Sequence, residues 1–307
     1  MSFKKLISVG VILRIALILF VCGSSRNPIV AQNYIDILKL ETSSTSRDFE
    51  NQTEELGIHD YNINLFVPIV ISNQDAVLLG FDYESVNAEI SSTEYFDVFS
   101  TGLRIGYNKI VSEDLSVSML LLPKLTGETK DISQANQQLG VAAIARRNLK
   151  QGSNFKAGIY INKDLFGPFV VPILGYYSKT DQKEINFLFP SLIDVNYNLN
   201  NALKAGIRFN GTVKSYALNN STRTVDNYLV KTENQLGGYI DYNYKNVHLN
   251  LFGGYSAGSS YRIFAENDEV DLAVSILKFG DDRTQLNSDL EDGFIFKATI
   301  YYRVKTN

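Results

Sequence analysis

The chain has 307 residues, with 29 Lys and Arg against 33 Asp and Glu, a formal net charge of −4 and a mean hydropathy of −0.07. Its single cysteine excludes an internal disulfide, and its two histidines leave little room for a metal site, so we expect no cofactor. An acidic chain of this kind is also a poor binder of nucleic acid.

The first 31 residues predict an export signal. Two lysines precede an apolar run at 6–21, which is interrupted mainly by Arg14, and Ile29 and Ala31 occupy the small-residue positions of a cleavage site. Cleavage after Ala31 removes four basic residues and no acidic one, which changes the net charge from −4 to −8. Two alternatives stay open: a membrane anchor, and a lipoprotein whose lipid acceptor is Cys22.

After this segment the main signal is a period of two residues. No apolar run there approaches the roughly 20 residues that a helix needs to cross a bilayer. At 61–72 every second residue from Tyr61 to Ile71 is apolar or aromatic. Alternation of this kind predicts further strands, and the polar segment 43–55 predicts a loop. The other strands expected in the first two thirds of the chain are 34–41, 77–84, 95–108, 115–125, 138–146, 155–162, 169–177, 184–189 and 193–199.

The last third contains the two longest alternating segments, at 202–217 and 228–244, and shorter ones at 248–256 and 294–304. Runs of about 15 residues exceed the usual strand of about 5–6, which favours a barrel. In the last segment Phe294, Phe296 and Ile300 share an apolar face. A final strand of this kind is what closes a transmembrane barrel, because only closure removes the unpaired edges that hydrocarbon cannot solvate.

The connections support the same interpretation. Short turns are expected near residues 112, 152, 200 and 245, and longer loops near 130, 165, 222 and 275. Outer-membrane barrels have short periplasmic turns and long external loops, whereas a soluble sandwich has no reason to alternate in this way. The longest connection is 259–292, in which 270–279 is predicted as a short helix or a strand.

Several short motifs carry a family resemblance. They are Pro-Ile-Leu-Gly-Tyr-Tyr at 172–177, Leu-Phe-Pro at 188–190, Val-Asn-Tyr-Asn-Leu at 195–199, the Gly206 strand that reaches Tyr216, Val67-Pro68, and Leu-Gly-Phe-Asp-Tyr at 79–83. The sequence resembles a domain-of-unknown-function family of outer-membrane β-barrel proteins from Gram-negative bacteria. The resemblance implies a barrel in the outer membrane and brings no activity and no functional residues.

The predicted fold is therefore all-β. We expect residues 32–307 to form a single antiparallel transmembrane barrel of about 14 strands, with 12 as an alternative, in the cell outer membrane. The predicted partners are outer-membrane lipid, the barrel-assembly machinery through the C-terminal strand, and small solutes. A soluble exported β-sandwich is the alternative fold.

Enzyme chemistry is not predicted. His248 and Ser256 share the polar face of one strand, but no acid in the sequence is placed to orient the imidazole, so a lumen-lining histidine is the favoured interpretation. Asp82 and Glu84 form a same-face carboxylate pair. Such a pair suits acid–base work, but inside a barrel it more often pairs with lysine and arginine.

The polar face carries charged side chains of both signs. Three of them, Lys204, Arg208 and Lys214, form a basic stripe along one strand, which predicts a wall that attracts anions. The alternative is that Glu233 and Asp241 on the next strand neutralise this stripe. The residues expected to line the lumen are Asp82, Glu84, Arg104, Arg146, Lys156, Lys204, Arg208, Lys214, Glu233 and Asp241.

Two functions follow from these expectations. The first is a passive channel for small solutes, since a barrel of about 14 strands has room for water if its inner side chains do not interdigitate. The second is a non-conducting barrel that is structural or binds partners through its external loops. The width of the lumen decides between them, and the sequence does not set it.

Overall fold

The structure, a computed structural model, describes residues 34–48, 55–89, 95–132, 135–149, 152–218 and 227–305. The predicted signal segment 1–31 lies outside the described residues, as does the predicted loop 219–226. Within the described ranges no helix is long and apolar enough to cross a bilayer.

Every element that carries the fold is a strand, as the period of two predicts. The strands of the described residues are β1 (Tyr34–Asp48), β2 (Glu55–Val70), β3 (Asp75–Glu89), β4 (Tyr95–Ile110), β5 (Leu115–Glu128), β6 (Asn136–Asn148), β7 (Ser153–Asp164), β8 (Gly167–Lys179), β9 (Lys183–Phe189), β10 (Leu192–Asn198), β11 (Leu203–Leu218), β12 (Asn227–Tyr244), β13 (Val247–Ser256), β14 (Ser260–Ala265), β15 (Leu272–Val274), β16 (Leu277–Phe279) and β17 (Gly293–Lys305).

Fourteen of these strands close into a barrel. β1 to β13 pair in chain order with antiparallel neighbours, and β17 closes the wall by pairing with both β13 and β1. The registers Tyr34↔Lys305 and Val247↔Tyr302 place the two ends of the described chain on adjacent strands. The predicted closed barrel of 14 strands is confirmed. A single closed sheet rules out the sandwich.

The two faces of the wall separate as the sequence predicts. Outward side chains are apolar and exposed, with Ile207 at 64% and Phe296 at 66% of their full surface, whereas inward Thr299 and Asn250 are each 1% exposed. An apolar belt around a closed barrel with a polar interior fits hydrocarbon outside and water or ion pairs inside. The fold is therefore that of an outer-membrane barrel.

The connections at the two ends of the barrel differ in length as predicted, except at 165–166 and 190–191. One end, the turn end, holds 71–74, 111–114, 149–152, 180–182, 199–202 and 245–246 together with both ends of the described chain. At the opposite loop end, 257–292 is the longest connection. The long loop predicted near 165 is wrong, because 165–166 is a two-residue turn. The loop predicted for 43–55 is also wrong in its first half, because β1 continues to Asp48.

The wall has a notch at the loop end. β9 and β10 have 7 residues each, and Phe189–Leu192 turns between them, so the first half of β8 and the second half of β11 have no neighbour on that side. The short hairpin β15–β16 pairs with β8 at Ala273↔Phe169. Residues 270–279, predicted as a short helix or a strand, thus form two strands.

The second half of the β11–β12 hairpin enters the barrel. Residues 211–218 and 227–234, named here the inserted hairpin, keep their mutual register, and β14 extends their sheet by pairing with β12. Both faces of residues 215–218 and 227–231 within this segment are buried: Ser215 and Tyr216 are each 0% exposed. A strand that is buried on both faces has other parts of the protein packed against each face. β11 contacts β4 and β5 across the barrel. The lumen is therefore divided by the protein's own chain.

Each face of the inserted hairpin has an apolar cluster. Tyr216 and Leu229 pack with Ile58, Val86 and Val98 of β2, β3 and β4. On the other face, Tyr228 and Val230 pack with Phe166, Phe169 and Phe264. Burial of apolar surface at about 25 cal/mol per Å² makes these clusters the main stabilising contacts of the hairpin.

Glycines mark the level at which the hairpin leaves the wall. Gly237 and Gly254 are cross-strand partners, and a Cβ on either would lie 2.7 Å from the Phe252 ring. Only glycine allows the two backbones and this ring to approach so closely, which suits a sharp bend of the sheet.

Candidate functional site

A buried lysine anchors the inserted hairpin to the wall. Lys231 of β12 is 2% exposed, and its Nζ lies 2.8 Å from Asp60, 3.2 Å from Glu84 and 3.5 Å from Glu233. Glu84 also receives Lys214, from the same face of the hairpin. A buried charge is tolerated when it is paired and hydrogen-bonded, and removing one partner leaves the others uncompensated.

The opposite face of the hairpin is held by neutral and acidic groups. Ser215 donates its hydroxyl to the buried carboxylate of Asp164, and the Gln138 amide donates to Ser215 at 3.3 Å and to Thr126 at 3.1 Å. The Leu165 backbone N–H donates to Asp164 at 3.0 Å. Asp164 therefore joins the hairpin to the β7–β8 turn at the loop end.

Beside this anchor lies an arginine without hydrogen bonds. Arg47 of β1 is 2% exposed, its guanidinium lies 5.8 Å from the centre of the Tyr261 ring, and none of its nitrogens has a hydrogen-bond partner among the described residues. A cation over an aromatic face is attracted by the ring quadrupole, which offsets part of the desolvation cost.

Toward the turn end the lumen opens into a charged cavity of about 420 Å³, named here the vestibule. Arg208 donates to Asp194 at 2.6 Å, Tyr239 donates to the same carboxylate at 2.7 Å, and the Arg208 guanidinium lies 4.2 Å from the Tyr239 ring. Lys204 lies 3.4 Å from Glu184. The vestibule is thus lined by paired charges.

The residues of the predicted basic stripe all lie at this cavity, but their partners differ from those expected. Lys204, Arg208 and Lys214 pair with Glu184, Asp194 and Glu84. Neither Glu233 nor Asp241 neutralises the stripe. Glu233 lies beside Lys231, and Asp241 lies 2.9 Å from His248 Nδ1.

A second inner cavity of about 410 Å³ lies against β2 to β5. The Asp82 and Arg104 side chains line it and pair with each other, with Arg104 Nε donating to Asp82 at 2.8 Å. Glu84 and Lys214 line both this cavity and the vestibule. The carboxylates Asp82 and Glu84 are therefore each engaged by a cation rather than facing each other as an acid–base pair.

Two predicted lumen residues differ from the other eight. Arg146 of β6 and Lys156 of β7 are directly opposite each other, both half-buried. Neither has a carboxylate within 4 Å in the described part of the chain.

The catalytic alternative changes in one respect. Asp241 does orient His248, so the acid that sequence reasoning did not find is present. Ser256, however, is eight residues further along the same strand, about 26 Å away at the rise of an extended chain. Its hydroxyl contacts Ser259 at 2.7 Å instead. Ser256 and His248 therefore do not form a catalytic pair.

Sequence reasoning missed the residues that hold the hairpin. Asp60 has the same parity as Asn62 and Asn64, so the alternation of β2 contained a usable signal for it. Lys231 had none, because residues 227–231 are buried on both faces and show no alternation of exposure.

The loop end holds the largest of the cavities described here, about 730 Å³, between the inserted hairpin and the 257–292 connection. Phe166, Phe169 and Val213 give it an apolar floor. Arg283 lines the opposite side and hydrogen-bonds to Asp281 at 2.7 Å, which holds the pKa of Asp281 below its usual value.

A comparison with protein-family models identifies the family of the chain. Residues 71–267, nearly two thirds of the chain, match a domain of unknown function, DUF6268. No curated protein sequence matches the chain.

Similar solved structures include a TodX monoaromatic hydrocarbon channel deltaS2 mutant, with 10% identity, a TM-score of 0.40, and 92% of this chain and 93% of that chain covered. The COG4313 outer membrane channel from Pseudomonas putida F1 has 6% identity and a TM-score of 0.41, covering 90% and 97%. The translocator domain of autotransporter NalP from Neisseria meningitidis has 7% identity and a TM-score of 0.36, covering 96% and 94%. At such low identity and TM-score the similarity concerns the barrel alone.

Proposed function

The chain belongs to the family of the domain of unknown function DUF6268, and we propose that it is a gated outer-membrane conduit for small polar solutes, closed while the inserted hairpin occupies the lumen. The observation that carries this proposal is the hairpin itself. A segment that is buried on both faces at 215–218 and contacts strands across the barrel occupies part of the lumen and narrows the space left for water.

The contacts of the hairpin support movement rather than permanent closure. Its anchor is a lysine between three carboxylates, and such a cluster changes its net energy strongly when one charge is lost. Gly237 and Gly254 lie where the hairpin leaves the wall. Because they have no side chains, they do not themselves obstruct a bend of the sheet at this level. Polar cavities on the inner side give a solute a charged, hydrated path.

Conductance measurements test this proposal directly. In planar bilayers the wild-type chain should be mostly silent, whereas Lys231→Met should give frequent conductance steps. The substitution leaves Asp60 and Glu233 buried without their cation and Glu84 with Lys214 alone, which costs about 3–5 kcal/mol and favours withdrawal of the hairpin. Lys109→Met, at an exposed lysine of the turn end, is the matched control and should behave as wild type.

If folded Lys231→Met barrels are as silent as the wild type, the gated conduit is excluded. The second candidate function, a non-conducting barrel that binds a partner through its external loops, would then apply. The loop-end cavity of about 730 Å³ favours that candidate, because it combines an apolar floor with charged residues. Export by residues 1–31 and recognition of β17 by the barrel-assembly machinery stay predictions.

A further inference from the structure

The inner face of the β6–β7 hairpin holds four polar side chains in two cross-strand pairs near the turn end. Arg146 is opposite Lys156, and Asn148 is opposite Asn154. Alternation along each strand puts all four on the same face. They are separated from the inserted hairpin by most of the length of the barrel wall, because the hairpin enters at the loop end.

The pair of Arg146 and Lys156 places two positive charges next to each other with no carboxylate to neutralise them. The other basic residues predicted for the lumen each have a carboxylate within 4 Å: Arg104 with Asp82, Lys204 with Glu184, Arg208 with Asp194 and Lys214 with Glu84. Arg146 and Lys156 repel each other, and neither has an acidic partner among the described residues. Like charges directly opposite on a sheet are destabilising.

The pair of Asn148 and Asn154 contributes amide atoms that also lack hydrogen-bond partners. Asn154 is 0% exposed, and neither its amide nitrogen nor its amide oxygen has a hydrogen-bond partner in the described ranges. The amide oxygen of Asn148 has none either. Buried amide groups are nearly always hydrogen-bonded, since leaving one unpaired costs desolvation free energy. A hydrogen-bond donor without an acceptor, next to two cations without a carboxylate partner, points to a ligand that accepts hydrogen bonds and carries negative charge.

Small residues flank the two cations on the neighbouring strands. Gly175 of β8 is the cross-strand partner of Lys156, and a Cβ there would lie 3.1 Å from the lysine Cβ. A side chain at this position would therefore displace the lysine stem. On the far side of the hairpin, Ser116 of β5 is opposite Arg146 and adds a small hydroxyl.

We propose that Arg146, Lys156 and the Asn154 amide form a binding site for a small soluble oxyanion, such as phosphate, on the lumen wall near the turn end. The guanidinium fork pairs with two oxygens of a planar or tetrahedral oxyanion, the ammonium supplies a point charge, and the amide N–H donates to a third oxygen. Because the face points into the lumen, the ligand comes from solution and not from a lipid headgroup. The site does not depend on movement of the inserted hairpin.

Titration calorimetry on the full-length protein refolded in detergent tests the site with inorganic phosphate, at an ionic strength held constant with chloride. The wild type should bind phosphate, and Arg146→Gln and Lys156→Gln should each bind about tenfold more weakly, since one charged hydrogen bond contributes about that factor. Arg147→Gln is the matched control, because Arg147 is the next residue and pairs instead with Asp114 at 3.0 Å. It should bind phosphate as the wild type does.

Thermal unfolding gives a second readout that a merely structural role would not produce. In chloride, Lys156→Gln should unfold at a higher temperature than the wild type, because repulsion with Arg146 is removed. In phosphate the order should reverse, because the wild type binds the anion more tightly and gains more stability from it. Equal phosphate binding by the wild type and the R146Q/K156Q double variant would overturn the proposal, as would a wild type whose unfolding temperature is the same in phosphate and chloride. Neither result bears on conductance.

Discussion

Gly206 shows how a single residue sets the geometry of the vestibule. The Tyr239 ring lies across it, so that a Cβ at 206 would be 2.7 Å from the ring, and the tyrosine hydroxyl then reaches Asp194. Asp194 in turn holds Arg208. The pairing that neutralises the middle of the basic stripe thus depends on a missing side chain two residues away. The alternation pattern of the sequence shows only that residue 206 is small.

Substitution of this glycine should therefore be costly. Gly206→Ala should lower the free energy of unfolding in detergent by about 1–3 kcal/mol, as overpacking generally does, because Tyr239 must move. Gly238→Ala is the matched control in the adjacent strand, where the nearest atom to a Cβ is 3.8 Å away, and should change stability by less than about 0.5 kcal/mol. Equal effects in urea unfolding would contradict this account of Gly206.

A second residue-scale expectation concerns the turn at 111–114. The Ser112 hydroxyl and then the Arg147 guanidinium hydrogen-bond to Asp114 and lower the pKa of its carboxyl. A lowered folded-state pKa stabilises the fold above the unfolded-state pKa, and this contribution is lost as the pH falls through the folded-state value. Ser112→Ala should raise the pKa of Asp114 toward its usual value, measured by carboxyl NMR titration. An unchanged titration curve would show that the serine is not the main cause.

At the scale of elements, the pattern of side-chain exposure changes along the length of β11 and β12. In the first part of β11, outward Ile207 is exposed to the surroundings and inward Arg208 faces the vestibule. From Gly211 onward the pairing with β12 continues, and from Ser215 to Leu218 both faces are buried. The short β9–β10 hairpin is the reason, since it removes the neighbour that would keep β11 in the wall. Because the β9–β10 hairpin is short, the second half of β11 can leave the wall and enter the lumen.

Cysteine labelling distinguishes the two halves. With Cys22 replaced by serine, Ile207→Cys should react only with a membrane-soluble maleimide. Asn210→Cys should react with a water-soluble one, because residue 210 lines the vestibule. Ser215→Cys should resist both, since Ser215 is fully buried between the hairpin and the wall. Equally fast reaction at 215 and 210 would mean that the hairpin does not occupy the lumen.

At the scale of the whole molecule, closure is the property on which the others depend. β17 joins β13 to β1, and every strand of the wall has two neighbours along at least part of its length. A closed barrel with an apolar belt has no exposed hydrogen-bonding edge in the hydrocarbon, which is the condition for crossing a membrane with strands. The inserted hairpin and the 257–292 connection then determine what can pass through the barrel.

Cell fractionation tests this level. The mature protein should be recovered with outer membranes, and it should migrate faster in a detergent gel before heating than after, because a closed barrel resists unfolding by the detergent. The physical reason is the apolar belt, whose exposure to water would be unfavourable over the whole circumference. Full recovery in the soluble periplasm would contradict the membrane location.

The sequence alone determined the class of fold and which side chains face outward, because the two faces of each strand alternate with a period of two residues. It left the number of wall strands between 12 and 14. It also located the charged residues of the lumen. It did not determine their partners or the state of the lumen. Glu184 and Asp194 meet Lys204 and Arg208 because β9, β10 and β11 pair in one register, which places Asp194 directly opposite Arg208, and a shift by one residue would turn every side chain to the other face. Division of the lumen was beyond the sequence for the same reason. Residues 227–231 are covered on one face by β2 to β4, more than a hundred residues distant in the chain, and on the other by Phe166, Phe169 and Phe264, and burial of that kind exists only in the tertiary structure.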